Sequence, residues 1–450
     1  MIRKMGMVLT RLSLKYVPDP SIFAVLLTFV AFILGITIAN NTPMQMVINW
    51  YDGFWSLLTF SMQMALMVIT ASTIANAPIA KRWIRKLASV PSNSKQAVFL
   101  VTIVSTGVAL VHWGLSLILG ALLAKEVAKS LHIKKIPFEY GLIGAGAYVG
   151  QMMWHGGMSA SVGLLIATPG HFLEEEIGII TMSDYMFNPM NLVVTLSLVI
   201  LPPLFAILLH PKKSDEYTQA DEDVLQVLAV DDEIPAKLPG NPSIGDRLNH
   251  SRIINIVLGG LGLIYVVYHF ATKGFSLDLN IVNSTFLFAG ILMHGTVYRY
   301  VNALKTATVS VSGIIFQFPL YAGIMGMVRF SGMVDIFAQG LVDLSSQFTF
   351  PLWMFLTASL VNIFVPSGGG QWAVMGPIAI KSAEMIDYSV IKTALCVAYG
   401  NTWTNMLQPF WAIALLGITG LKARDILGYS ISIMLLSGLV FILGVLFLPV

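Results

Sequence analysis

The sequence predicts an all-α integral membrane protein of about nine transmembrane helices plus two re-entrant hairpins, arranged as two repeats of inverted topology. Three observations predict it: the composition, the placement of the basic residues, and short motifs that recur at one spacing. Of 450 residues, 56% are hydrophobic and 11% charged, with a mean hydropathy of +0.78. A soluble domain carries roughly 25% charged residues, so no water-soluble core would use this much apolar sequence. The net charge of +3 is small and its basic residues lie in short clusters, which leaves no nucleic-acid footprint. A single cysteine, Cys396, excludes an internal disulfide and a thiolate metal cage.

Apolar segments fall at 21–39, 54–76, 96–124, 139–168 and 189–209, several of them close to the roughly 20 residues that a helix needs to cross a bilayer. A stretch at 210–252, rich in Asp, Glu, Lys and Pro, reads as a cytoplasmic loop. Further apolar segments follow at 253–270, 281–295, 307–328, 351–380, 389–418 and 427–449. Two segments are interrupted midway: 96–124 by His112, Trp113 and Gly114, and 351–380 by Pro366, Ser367, Gly368, Gly369 and Gly370. Both read as hairpins whose tips line a cavity, because non-helical backbone survives at membrane depth only where protein or water satisfies it. The chain thus divides into a first membrane repeat (1–209), the loop (210–252), a connecting transmembrane helix (253–270) and a second repeat (271–450). The N-terminus has basic residues but no unbroken apolar core before a cleavage site, so no cleaved signal peptide is expected.

Basic residues prefer the cytoplasmic side, which tests the count of crossings. With each hairpin counted as zero, nine spans and a cytoplasmic N-terminus put 22 of the 26 basic residues inside and the C-terminus outside. The loop at 169–188 has acids but no Lys or Arg, which suits the outside. Leu110-Val111-His112 lies 250 residues before Leu360-Val361-Asn362, and Ala147-Tyr148 lies 251 before Ala398-Tyr399. The helix at 253–270 has no partner in the first half. One extra crossing makes the second repeat enter from the opposite side, the signature of secondary transporters with sites near the midplane.

Candidate site residues follow from these interruptions. In the second hairpin, Asn362, Pro366, Ser367, Gly368, Gly369, Gly370, Gln371 and Trp372 combine bare backbone with polar side chains that need partners at this depth. A helix starting there would turn free N–H groups toward a carboxylate; a tight packing turn is the competing reading. His112, Trp113 and Gly114 occupy the first tip. The broken spans offer Gln151, Trp154, His155, Ser159 and Ser161 in one half, and Asn401, Thr402, Trp403, Thr404 and Asn405 in the other. Gly156-Gly157 and Pro409 are the expected break points. Gly141, Gly144, Gly146 and Gly150 predict close helix packing. No Asp or Glu is read well inside any span, which suits an anion site and disfavours a carboxylate proton relay. An integral-membrane enzyme using His112 and His155 is the alternative of another class, but no metal-ligand set accompanies them, so no catalytic residue and no bound metal are expected.

The chain resembles the short-chain fatty acid transporters over nearly its full length. The similarity rests on Pro18-Asp19-Pro20 with Phe23, Asp52-Gly53-Phe54-Trp55, Met62-Gln63-Met64-Ala65-Leu66, Ala167-Thr168-Pro169-Gly170, Val365-Pro366-Ser367-Gly368-Gly369-Gly370 with Trp372, and Gln408-Pro409-Phe410-Trp411. It implies ion-coupled symport of short carboxylates such as butyrate or acetoacetate, with Na+ or H+ as the coupling ion and no other cofactor. It also implies an elevator movement, substrate at paired hairpin tips, a bacterial inner membrane as the location, and a homodimer as one expected assembly. His112 stands where an asparagine is expected, and His155 where a glycine-rich run is more usual. A dicarboxylate carrier or an antiporter is the alternative within transport.

Overall fold

The structure is a computed structural model that describes residues 20–212, 217, 242–408 and 411–450. Among them no strand occurs. The first part of the chain forms α1 (Pro20–Thr37), α2 (Pro43–Phe54), α3 (Leu58–Ala75), α4 (Pro78–Ala88), α5 (Ser94–Val111), α6 (Trp113–Ile133), α7 (Tyr140–Val149), α8 (Ser161–Ile166) and α9 (Pro189–Leu209). After α10 (Arg252–Lys273) come α11 (Leu279–His294), α12 (Val297–Thr308), α13 (Ser312–Phe330), α14 (Met333–Asp343), α15 (Phe350–Asn362), α16 (Gly368–Met385), α17 (Val390–Thr404), α18 (Ala412–Thr419) and α19 (Ala423–Phe447). Single helical turns at Glu174–Ile177 and Met182–Met186 and a short helix at Ile244–Asn249 sit in the connections.

Local sequence explains where many helices begin. Thr42, Asn93, Asn188, Ser251, Asp278, Thr296 and Ser389 each cap a helix by accepting a backbone N–H of its first turn. Proline opens α2, α4 and α9, where its missing N–H leaves no bond unmade. By length and apolar composition, six helical stretches among the described residues are able to cross a membrane: Leu58–Ala75, Ser94–Val111, Pro189–Leu209, Ile244–Lys273, Val297–Phe330 and Ala423–Phe447.

The element order α1 to α9 recurs as α11 to α19, leaving α10 over. The hairpins occupy more chain than expected, running as α5–α6 and α15–α16, but they turn where the sequence is interrupted. Four helices were not expected from the sequence. The segment 54–76 is found as α3, while α2, α4, α12 and α14 arise in stretches of mixed polarity that average apolarity passes over. Helix α4 shows why: Lys81, Arg82, Arg85 and Lys86 line it, yet Ile84 and Ala88 are buried, a basic amphipathic pattern suited to a membrane interface.

Packing sorts the helices into two groups. In one, α15 lies on α17, α5 on α6, α7 and α9, and α19 on α7 and α9. In the other, α13 of the second half lies along α1 and α2 of the first, while α3 of the first half lies along α11 and α12 of the second. Gly53 and Gly326 let two backbones touch there, since a Cβ on Gly53 would stand 2.5 Å from the Ala322 carbonyl oxygen. Helix α6 meets α3 and α4, and α16 meets α13 and α14, so each hairpin sends its second helix to the boundary between the groups. Arg329, in the last turn of α13, pairs with Glu176 and donates to the Phe172 carbonyl at 2.9 Å, linking α13 to the connection after α8.

Candidate functional site

Each hairpin tip is a residue of extended backbone that caps the helix behind it. His112, at φ −157° and ψ 118°, receives the Leu115 N–H on Nδ1 at 3.4 Å and starts α6. Ser367, at φ −139° and ψ 118°, receives the Gly370 N–H on Oγ at 3.2 Å and starts α16. By role His112 therefore corresponds to Ser367. The 250-residue spacing had paired it with Asn362, because residues 363–366 lengthen the second turn and have no counterpart in the first.

The first tip is fastened to the break between α7 and α8. The Trp113 N–H donates to Ser159 Oγ at 2.9 Å, the Trp113 carbonyl accepts from Gln151 Nε2 at 3.0 Å, and the Met158 N–H donates to the Leu110 carbonyl at 2.7 Å. That break is two 3-10 turns, Gly150–Met152 and Trp154–Gly156. Gly114 lets α6 approach Ala71 of α3. A row of rings then runs from His112 to Trp113 (centroids 6.4 Å apart), on to Trp154 (5.3 Å) and His155 (3.9 Å). Trp411 joins the two tips: its ring meets Trp113 at 5.2 Å, and its Nε1–H donates to the Pro366 carbonyl at 2.6 Å.

The three glycines of the second tip are covered by side chains from elsewhere. A Cβ on Gly368 would stand 2.7 Å from the Trp154 ring and closer still to His155 Nε2. On Gly369 it would strike Phe60 of α3, and on Gly370 it would stand 2.5 Å from Tyr321 of α13. Only glycine admits these rings against the backbone. Phe60 and Tyr321 gave no local sign of this role in the sequence.

Where the tips meet, three buried ring nitrogens have no hydrogen-bond partner among the described residues, Nε2 of His112 and Nε1 of Trp113 and Trp154, and the nitrogens of His155 have Asn401 alone turned toward them. An unmet buried polar group costs about 1–3 kcal/mol, which makes this cluster the candidate site. Because His112 Nδ1 accepts a backbone N–H, its ring proton lies on Nε2, which makes that atom a free donor. The row itself contains no Asp, Glu, Lys or Arg. Among the described residues no group of three His, Cys, Asp or Glu side chains stands close enough to hold a metal ion.

The remaining polar candidates satisfy one another. Asn401 Nδ2 donates to Asn362 Oδ1 at 2.7 Å and to Gln371 Oε1 at 2.6 Å. Asn362 Nδ2 donates to Thr404 Oγ1 and Asn405 Oδ1, both at 3.0 Å, and Gln371 Nε2 donates to the Ala358 carbonyl at 2.6 Å. Gln408 Nε2 donates to the Asn362 carbonyl at 2.8 Å. These amides join α15, α16 and α17 behind the tip. Trp372 is fully buried beside Gly376, with Nε1 also unpartnered among the described residues. Trp403 is brought elsewhere, donating to the Met434 carbonyl at 2.8 Å. The expected break point Pro409 lies outside the described residues, while the second break shows as a 3-10 turn at Asn405–Leu407. Among the described residues one acid is wholly buried, Glu139, at the N-terminal end of α7 and not within it, whose N–H donates to Ser94 Oγ at 3.0 Å.

Each half also holds the other's break. The Tyr148 hydroxyl of α7 donates to the carbonyls of Asn405 at 2.9 Å and Gln408 at 3.0 Å. The Tyr399 hydroxyl of α17 donates to Asn191 Oδ1 at 2.8 Å, and Asn191 Nδ2 donates to the Gly156 carbonyl at 3.0 Å. Tyr148→Phe is expected to destabilise the fold by about 1 kcal/mol, the usual worth of a buried hydrogen bond between membrane helices. Thermal unfolding in detergent measures it, and an unchanged midpoint would refute the bracing role.

The comparisons with known proteins agree with this architecture. The chain matches the short chain fatty acid transporter family over residues 1–448. A protein of Escherichia coli (strain K12) named for short-chain fatty acid transport is 38% identical over 99% of both chains. One of the same name from Haemophilus influenzae (strain ATCC 51907 / DSM 11121 / KW20 / Rd) is 38% identical over 100% of both. The crystal structure of the Alcanivorax borkumensis YdaH transporter, described as having an unusual topology, is similar with a TM-score of 0.56 at 15% identity, covering 95% of this chain and 97% of that one. That likeness is one of fold alone. With a full-length family match, two full-length relatives and six helices fit to cross a bilayer, the chain is a multi-pass membrane protein and belongs to the short chain fatty acid transporter family.

Proposed function

We propose that the protein is a secondary transporter that carries short-chain carboxylates such as butyrate and acetoacetate across the bacterial inner membrane, coupled to an ion. The observation that carries this reading is the row of unpartnered N–H groups where the two tips meet. A carboxylate accepts hydrogen bonds and donates none, so indole and imidazole N–H groups suit it, while the ring faces suit a short alkyl tail. In this reading nine helices cross the bilayer, the N-terminus is cytoplasmic and the C-terminus outside. Hairpin α5–α6 enters from the cytoplasm and α15–α16 from outside, so the two halves are inverted. The group holding both hairpins moves against the group holding α1, α3, α11 and α13, which fits an elevator movement. Gly368 keeps the backbone of the second tip close to the anion beside His155 and Trp154, and the amide cluster holds the tip in place.

Purified full-length protein in sealed liposomes tests the proposal. Labelled butyrate and acetoacetate are expected to enter saturably, above protein-free vesicles, and to compete with each other but not with succinate. No saturable entry under any imposed sodium or proton gradient would overturn it, and competition by succinate would point to a dicarboxylate carrier.

A further inference from the structure

We infer that the coupling ion is the proton and that His155 is the group that takes it, an inference that rests on the reading that the tips hold a short-chain carboxylate. The row of rings between the tips offers an anion hydrogen bonds but no positive charge. An unpaired charge buried in such surroundings is strongly disfavoured, so an anion held there calls for a countercharge brought in with it.

The two imidazoles of the row are not equivalent. His112 Nδ1 is engaged as the cap of α6, receiving the Leu115 N–H, so a proton placed on it would break the cap. His112 is thereby fixed as a neutral donor through Nε2. His155 caps no helix: it is fully buried, its ring lies 3.9 Å from that of Trp154, and Asn401 is the side chain that reaches it with a hydrogen bond. His155 Nε2 faces the backbone of Gly368 in the opposite tip. The amide hydrogens of Asn401 are engaged by Asn362 and Gln371, so it meets the imidazole N–H with its side-chain oxygen, which also accepts from Asn405 Nδ2 at 3.5 Å.

The surroundings hold no competing charge. The elements packed against the 154–156 turn are the preceding 3-10 turn and α5, α8, α9 and α17, with α16 reaching it through Gly368. Their groups nearest the row are His112, Tyr399, which is bonded to Asn191, and buried Cys396. The charged residues Lys95, Lys381, Glu384 and Lys392, and the ionisable His210, all sit at the far ends of their helices.

The step balances as a proton transfer alone. One proton from the loading side adds to a ring nitrogen of His155, giving imidazolium beside the carboxylate. On the other side the proton and the anion leave together, so one neutral acid equivalent crosses per cycle. Coupling follows from burial: the imidazolium is stable only beside the anion, and the anion only beside the imidazolium. Sign follows too, since binding takes up a proton: apparent affinity falls as pH rises, by about tenfold per unit once protonation is unsaturated.

Two measurements test this with the full chain. In weakly buffered detergent, wild-type protein titrated with acetoacetate is expected to take up one proton per anion bound. In sodium-free liposomes at zero membrane potential, an inside-alkaline gradient is expected to accumulate labelled acetoacetate above protein-free vesicles, whose background removes direct passage of the undissociated acid. His155→Gln is expected to lower uptake at least tenfold and to make the remaining exchange independent of pH, whereas His112→Asn keeps the wild-type pH dependence. Binding by wild type without proton uptake, or accumulation driven by a sodium gradient at equal pH, overturns the inference while leaving carboxylate transport standing. Absence of saturable acetoacetate entry under every gradient overturns the transport reading and the inference with it. The wild-type titration decides the question even if the His155 variant fails to fold.

Discussion

Replacing Gly368 with valine is expected to cut butyrate uptake between roughly tenfold and a hundredfold, with the protein still inserted in the membrane in normal amounts. The Cβ alone would overlap Trp154 and His155, and both rings are wedged among others and have nowhere to retreat. Overpacking of this kind costs about 1–3 kcal/mol, and tenfold corresponds to about 1.4 kcal/mol, which sets the range. Gly368→Ala should fall between the two. Gly107 is the control: it also lies in a hairpin helix, but a Cβ there meets nothing within 4 Å, so Gly107→Ala should leave uptake unchanged. Uptake by the valine variant within twofold of wild type, at equal membrane abundance, would sink the role given to the second tip.

The second large effect is expected at Asn401. Its replacement by leucine removes two short hydrogen bonds and leaves the side-chain oxygens of Asn362 and Gln371 buried without that donor. Stranding buried acceptors costs more than losing the bonds themselves, and here the loss is about 2–4 kcal/mol. The thermal midpoint in detergent should drop, and transport should fall because the second tip loses its anchor to α17. Asn362→Ala should cost less in the Asn401→Leu background than in wild type, since the two share one network. Additive losses would show that the amides act independently.

The outline of the fold was legible where chemistry interrupts apolarity. His112 and the Pro366 to Gly370 run marked both tips, because histidine, proline and clustered glycine have no place inside a plain spanning helix. Helices α2, α4, α12 and α14 were not legible, since their polar and apolar residues alternate around the helix and average out along the chain. The site was half legible. Trp113, Trp154, His112 and the glycines stood out, but Phe60 and Tyr321, the reason two of those glycines are required, come from helices far away in sequence. Asn362 and Gln371 read as polar groups in need of partners at depth, and Asn401 and Asn405 as candidates on a broken span. That those partners are one another depends on how α15, α16 and α17 converge, which no local pattern records.

The exchange of Tyr148 and Tyr399 between the halves has a consequence for how the chain is made. Synthesis delivers the first half to the membrane before the second exists, and at that stage Gly156 lacks the Tyr399–Asn191 brace while the Tyr148 hydroxyl lacks both its acceptors. Each interrupted helix therefore gains its brace from the other half only once the chain has been made as far as residue 408. The first half therefore stands without its cross-brace for the time needed to translate about 200 further residues, some 10 to 40 seconds at ordinary rates. A change that displaces Tyr399 or the 405–408 turn is then expected to loosen the break of the first half as well as that of the second.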